Sequence, residues 1–220
     1  MDKTSILLHG PIGKWTKQII KEHSEKNSNS KILLATWENP SNEISAEIIK
    51  IEPPKSSIPY ELDVNAQKNA ILLGLGKIES GIVMICRTDQ FIHNQSIFQI
   101  YEKNCPKNKI MIPNYLTIKE IDYLASCLVQ IAKISVLKEF WNSILDFEDN
   151  FNIHPEIYFT SNYLLRGKKD QRPWKDCISD YFFILDYKKD FQIEWEKFTG
   201  GLEHRDLFET LYQKCVKSEF

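Results

Sequence analysis

The sequence predicts an α/β fold built on a mainly parallel sheet, and three observations carry that prediction. Gly81 is followed by Ile82-Val83-Met84-Ile85-Cys86, a short β-branched apolar run that stops at Arg87-Thr88-Asp89. Such a run reads as a strand buried on both faces. Two earlier apolar runs, Ser5–Leu8 and Lys31–Trp37, flank a stretch with Trp15, Ile19 and Ile20 at helical spacing. Strand and helix patterns then alternate through the first two thirds of the chain, as a parallel sheet with crossover helices requires.

In chain order, Ser5–Leu8 is the first strand and His9-Gly10-Pro11-Ile12-Gly13 the loop that leaves it. Trp15–Lys26 is a helix, Lys31–Trp37 a strand closed by Glu38-Asn39-Pro40, and Ile48–Ile51 a short strand that ends at Pro53-Pro54. The polar stretch to about Glu61 reads as a mobile loop. Asp63–Lys77 keeps Ala66, Ala70, Leu73 and Lys77 on one helical stripe. After the central strand, Gln95–Lys103 reads as a helix and Lys109–Ile112 as a strand. Asp122–Ile131 reads as a strand and Lys133–Leu145 as a helix, although Leu124–Leu137 fits helical spacing nearly as well. Pro155 suits the first position of a further helix, with Glu156 in its first turn. Tyr181–Leu185 reads as a late strand and Glu203–Lys217 as a terminal helix.

With 220 residues, 42% of them hydrophobic, 26% charged and a net charge of -2, the chain suits one domain with a sizeable core. That balance excludes a nucleic-acid footprint, which needs a basic face. Met1–Ser5 leads into only three apolar residues, so no signal peptide is expected, and no run approaches the roughly 20 residues that span a bilayer. The five cysteines (Cys86, Cys105, Cys127, Cys177, Cys215) lack any C-x-x-C pair, a usage that fits a reducing cytoplasm and neither disulfides nor zinc.

Arg87 and Asp89 stand at the carboxyl end of the central strand, where ligands of open α/β sheets bind. A cation beside a carboxylate there suits a phosphate-bearing ligand, or else is an exposed ion pair. Gly10–Lys14 fails the spacing of a phosphate loop, since Leu8 and Trp15 stand where that motif needs Gly and Ser or Thr. The loop can still take a nucleotide against its backbone N–H groups. No G-x-S-x-G elbow occurs, and His9, His93 and His154 lack metal-ligand spacing and read as solvated or capping residues. Trp37, at a strand end, can line a pocket. Arg166–Arg172 is the only dense basic run, either a solvated loop or a flexible one in which Lys168 and Arg172 close on a diphosphate.

His9-Gly10-Pro11, Thr36-Trp37-Glu38, Asn65-Ala66-Gln67 and Arg87-Thr88-Asp89-Gln90 occur in that order, followed by Asp122-Tyr123 and Pro155-Glu156. Over roughly residues 4–165 the chain resembles the WavE lipopolysaccharide-synthesis family of bacterial glycosyltransferases. The resemblance implies a GT-A-like nucleotide-diphospho-sugar transferase fold, with residues 1–113 as the nucleotide-sugar half and 114–220 as the acceptor half. It implies a nucleotide-sugar donor held by His9, Gly10, Pro11, Trp37, Glu38, Asn65, Gln67, Arg87 and Asp89. The acceptor is then a growing lipopolysaccharide or capsule glycan, handled in the cytoplasm or at the inner face of the membrane.

Sugar transfer leaves charge on a phosphate and, with inversion, needs a base for the acceptor hydroxyl. GT-A enzymes place an Asp-x-Asp motif on a divalent cation; here Arg87 replaces the first acid. Asp89 then either binds Mg²⁺ or Mn²⁺, or holds a hydroxyl while Arg87 supplies the charge. Glu156 is the first candidate base, Asp122 the second and Asp180 the third, and retaining transfer stays open. The competing readings are a sugar nucleotidyltransferase and a non-catalytic sugar- or protein-binding module.

Overall fold

A computed structural model of the chain describes residues 3–41, 43–53, 64–148, 153–199 and 202–217. The polar loop expected up to about residue 61 falls largely outside them. Seven strands form the main sheet: β1 (Thr4–His9), β2 (Lys31–Thr36), β3 (Glu47–Lys50), β4 (Ile82–Arg87), β6 (Ile110–Pro113), β7 (Val129–Lys133) and β8 (Phe182–Leu185). Their order is β3-β2-β1-β4-β7-β6-β8. β3, β2, β1 and β4 are mutually parallel, as are β6 and β8, whereas β7 runs against both of its neighbours. The fold is therefore the mixed α/β, mainly parallel arrangement that the alternation predicts.

β4 lies in the middle of this sheet, and Ile82–Cys86 are all buried. Ile6, Leu7 and Leu8 of β1 and Ile131 and Ala132 of β7 meet it on either side with no exposed surface. Burial of this continuous apolar core is the main stabilising term, at roughly 25 cal/mol per Å² of apolar surface. The helix α2 (Val64–Gly76) packs on β1 and β2 and against α4 (Ile134–Asn142). Gly74 sets how close α2 can come: a Cβ there would lie 2.4 Å from Leu7 Cδ1.

The remaining helices are α1 (Thr16–Lys26), α3 (Ile97–Asn104), α5 (Pro155–Asn162), α6 (Trp174–Tyr181) and α7 (Leu202–Lys217). Aromatic side chains join α4 and α5, with Trp141 and Phe159 centroids 5.0 Å apart. The buried Trp141 Nε1 donates to Gln130 Oε1 at 2.9 Å, so this polar group is satisfied inside the core. Among the described residues no helix is long and apolar enough to cross a membrane.

Several boundaries differ from expectation. The strand expected over Asp122–Ile131 is confined to β7, because Ile118–Leu124 folds into turns with Tyr123 at φ 61°. The basic run is not a free loop: Tyr163–Lys168 continues α5 as a π-helical turn. A second, two-stranded sheet pairs β5 (Gln90–Ile92) with β9 (Ile193–Trp195) in antiparallel fashion. Neither strand is long enough to show a period in the sequence, and their pairing decides the shape of the site.

Candidate active site

The carboxyl ends of β1 and β4 place His9 and Arg87 directly opposite each other in register. Beyond β1 the chain turns sharply at Gly10, whose φ of 126° lies in the region that favours glycine. A Cβ at this position would also come within 3.0 Å of Thr88 Oγ1. The loop is braced from several sides. Thr88 Oγ1 donates to Pro11 O, Ile12 N donates to Glu38 Oε2 at 2.7 Å, and Gly13 N donates to Thr16 Oγ1 at 2.8 Å. Thr16 Oγ1 in turn donates to Thr88 O at 3.0 Å. The first strand-to-helix loop and the end of β4 are thus tied into one rigid corner.

Arg87 grips Asp89 in a forked pair, with Nε on Oδ1 and Nη2 on Oδ2, both at 2.9 Å. Trp195 Nε1 adds a third bond to Oδ2 at 3.0 Å, and the Arg87 guanidinium lies 5.4 Å from the Trp195 ring centroid. Glu196 N donates to Asp89 O, which fixes the backbone of β9's exit against the corner. Burial by itself would raise the Asp89 pKa, but the Arg87 charge and the three side-chain bonds outweigh it and hold the carboxyl below its usual range. His9 behaves oppositely. Burial, helped by the nearby Arg87 charge, pushes its pKa down to about 3, and its Nε2 has no hydrogen-bond partner among the described residues.

Two hollows meet at this corner. One, of about 70 Å³, is lined by His9, Gly10, Pro11, Trp37, Asp89 and the α2 face. The other, of about 110 Å³, is lined by Leu116, Cys127, His154, Glu156, Trp195 and Lys197 among others. Gln67 and Arg87 belong to both linings, so the Arg87 guanidinium stands on the wall between them. A larger, open hollow of about 500 Å³ lies at the amino ends of β2 and β3, lined by Ser24, Asn27, Ser28 and Ser30 with Glu47. It offers one carboxylate and no cation, whereas the smaller pair gathers Arg87, Lys197, Asp89, Glu156, His9 and His154.

In the second hollow His154 Nδ1 lies 2.6 Å from Glu156 Oε2. Burial would raise the Glu156 pKa, but the bond to His154, its charge and a bond from Cys127 keep the carboxyl below its ordinary value. The same bond to Glu156 raises the pKa of His154, against the opposing effect of burial.

The structure brings together His9, Gly10, Pro11, Trp37, Gln67, Arg87, Asp89 and Glu156 from the sequence expectation. Other expected ligands have structural duties instead. Glu38 braces the loop at Ile12, and Asn65 accepts from Phe147 N and donates to Phe147 O, which ties α2 to the segment after α4. Asp122 is exposed in the turns next to α6, outside both linings. Asp180 pairs with Arg172 at 2.8 Å on α6. Arg172 also pairs with Asp170, while Lys168 pairs with Glu139 at 2.6 Å and lies over the Tyr163 and Tyr181 rings. These pairings place both cations on the α4–α6 side of the molecule, not at the corner.

The donor set does not fit the expected Mg²⁺ or Mn²⁺. Three donors already occupy the two Asp89 oxygens, and the next charged group is the Arg87 guanidinium. Among the described residues no group of three His, Cys, Asp or Glu side chains is arranged to hold a metal ion. The positive charges at the two hollows are those of Arg87 and Lys197.

The sequence reading missed His154, Cys127, Leu116, Trp195 and Lys197. His154 carried a signal, since it stands in the N-cap position before Pro155 and two residues from Glu156. Trp195 and Lys197 carried none, because only the β5–β9 pairing brings Trp195 to Asp89 and Lys197 to the second hollow.

No family model matches the chain, and no curated protein matches it by sequence. Among solved structures, it is similar to the bifunctional IspDF from Campylobacter jejuni at 13% identity, over 92% of this chain and 54% of that one, with a TM-score of 0.51. It also matches a glycosyltransferase involved in the glycosylation of the major capsid of PBCV-1 at 12% identity, over 84% and 82% of the two chains, with a TM-score of 0.49. The apo form of the glycosyltransferase GlyE of Streptococcus pneumoniae matches at 11% identity over 84% of this chain, with a TM-score of 0.47. The chain spans 46% of that GlyE structure. At such identities the likeness is one of fold alone, a mixed α/β arrangement with a mainly parallel sheet flanked by helices.

Proposed function

We propose that the chain transfers a sugar from a nucleotide-activated donor to a glycan acceptor. The observation that carries this reading is the position of Arg87, on the wall between a hollow at the β1 loop and a hollow that holds a His–Glu pair. Each hollow is below the roughly 300 Å³ at which pockets enclose a ligand of that size, so the donor lies across both. The nucleoside rests against Gly10, Pro11 and Trp37, its backbone partners held rigid by Glu38 and Thr88. The diphosphate meets Arg87, which Asp89 and Trp195 orient, with Lys197 close by. The sugar then faces the hollow of His154 and Glu156. Charge that develops on the departing phosphate is met by a preoriented guanidinium in a largely buried corner, where such stabilisation is strong. A surface glycan such as lipopolysaccharide or capsule is the proposed acceptor, with the protein acting in the cytoplasm or at the inner face of the membrane.

Thermal unfolding with UDP-, GDP-, CMP- and dTDP-sugars, each with and without Mn²⁺, tests the reading. One donor at about 100-fold its Kd should stabilise the protein by about 2.7 kcal/mol, and the same donor should release free nucleotide on incubation. No stabilisation by any donor would overturn the proposal. Pyrophosphate release from a nucleoside triphosphate and a sugar phosphate would assign nucleotidyl transfer instead.

A further inference from the structure

His154 and Glu156 flank Pro155 at the start of α5, and their side chains close on each other across that residue. What each offers to the hollow differs. The Glu156 side chain is 8% exposed and is held both by His154 and by the Cys127 thiol, whereas the His154 side chain is 48% exposed. A carboxylate enclosed in this way reaches an acceptor hydroxyl only by giving up its partners. With Nδ1–H donated to the carboxylate, the neutral imidazole keeps its lone pair on Nε2, which is the tautomer a base requires.

We infer that His154 takes the proton of the acceptor hydroxyl and that Glu156 is a positioning residue that orients the ring and stabilises the imidazolium. The inference rests on the sugar-transfer reading above and replaces Glu156 as the base within it. In the step, the acceptor oxygen forms a bond to the anomeric carbon and its proton passes to Nε2. The anomeric carbon–oxygen bond to phosphate breaks, and its electron pair leaves on the nucleotide diphosphate, which faces Arg87 and Lys197. Four charged or titratable groups besides His154 line this hollow: Arg87, Lys197, Glu156 and Cys127. Burial raises the Cys127 pKa well above the ordinary thiol range, so Cys127 stays a neutral donor to Glu156. The bond to Glu156 raises the His154 pKa against the opposing effect of burial, which strengthens the ring as a proton acceptor.

The test uses the full chain and measures nucleotide release from the UDP-, GDP-, CMP- and dTDP-sugar panel, with water as the acceptor, beside nucleotide binding by calorimetry. His154→Ala should lower the release rate about 10²–10⁴-fold with unchanged nucleotide affinity, and added imidazole should restore part of it. Glu156→Gln should keep activity at high pH but move the acidic limb of the rate profile to lower pH, because the ring has lost its carboxylate. The opposite pattern, in which Glu156→Gln is inactive at every pH while His154→Ala turns over at the wild-type rate, returns the base to Glu156 and overturns the inference alone. Absence of both nucleotide binding and nucleotide release from the wild-type chain removes the transferase reading and this assignment together.

Discussion

Arg87 is held before any ligand arrives. Its fork to Asp89 and the Trp195 bond to the same carboxylate fix the guanidinium plane, so little rotamer entropy is lost when a phosphate binds. Arg87→Ala should therefore weaken binding of the cognate nucleotide diphosphate by about 1.5–3 kcal/mol, the worth of a charge-assisted bond. Isothermal calorimetry reads this directly, and an unchanged affinity would remove Arg87 from the donor site. Buried histidines set a second residue-scale expectation. Burial lowers the pKa of His9 to about 3 and of His23 to about 4. Their unfolded values lie near 6.5, so below that pH the unfolded chain binds protons that the folded chain refuses. Stability is therefore complete above pH 6.5 and falls as pH drops toward 4, at about 1.4 kcal/mol per pH unit for each histidine. His23→Leu should lose about 2 kcal/mol less than the wild type between pH 7 and pH 5, as urea unfolding would show. At this scale the sequence was legible where a residue's role follows from a strand end, as with His9, Arg87 and Asp89. It was not legible for Glu38 and Asn65, whose polar side chains turn inward to backbone groups that only the folded loop presents.

The elements themselves were largely readable, because each long helix and buried strand carries its own period. β7 and α4 were harder, since they follow each other without a turn residue and both are apolar, which blurs a period of two into one of 3.6. The π-helical turn after α5 escaped as well, because its ordering comes from side-chain partners distant in sequence. That ordering changes what the basic run should do. With Lys168 held by Glu139 and Arg172 by Asp170 and Asp180, trypsin should cut this segment slowly in the free protein, and added nucleotide should leave the rate unaltered. Rapid cleavage after Lys168 or Lys169, suppressed by nucleotide, would restore it as a closing loop. Helix packing gives a sharper expectation at α2. Alanine gains about 1 kcal/mol over glycine in helix propensity, yet at position 74 its methyl meets Leu7, and overpacking costs about 1–3 kcal/mol. Gly74→Ala should lower the urea midpoint, whereas Gly76→Ala, with nothing within 4 Å of the new methyl, should leave it unchanged or raise it.

Across the whole molecule, one reversed strand lets the sheet continue past its centre. β7 fills the place between β4 and β6, so a strand from beyond residue 113 completes the burial of the strand that carries Arg87. The two expected halves therefore share one sheet. The site is likewise shared: its first hollow comes from the ends of β1, β2 and β4 and from α2, while the second adds to Gln67 and Arg87 segments around residues 116, 127, 154 and 195. A parallel sheet was predictable from alternation; the interleaving was not, because no local pattern records which distant strands become neighbours.

The pairing of β5 with β9 has a consequence in time. The Asp89–Trp195 bond joins residues 106 apart, whereas the Ile12–Glu38 bond of the same corner spans 26. Chain-closure entropy grows with the logarithm of loop length, so the longer closure costs about 1.2 kcal/mol more than the shorter one. On a ribosome the disparity is absolute, since Trp195 emerges long after β1, β2 and β4 have been made. The apolar sheet can thus gather while Arg87 and Asp89 still lack their indole, and competence for ligand arrives as a separate, later event. In a refolding experiment the far-ultraviolet circular dichroism signal should recover first, and protection of the Trp195 indole N–H from hydrogen exchange should follow as a slower phase.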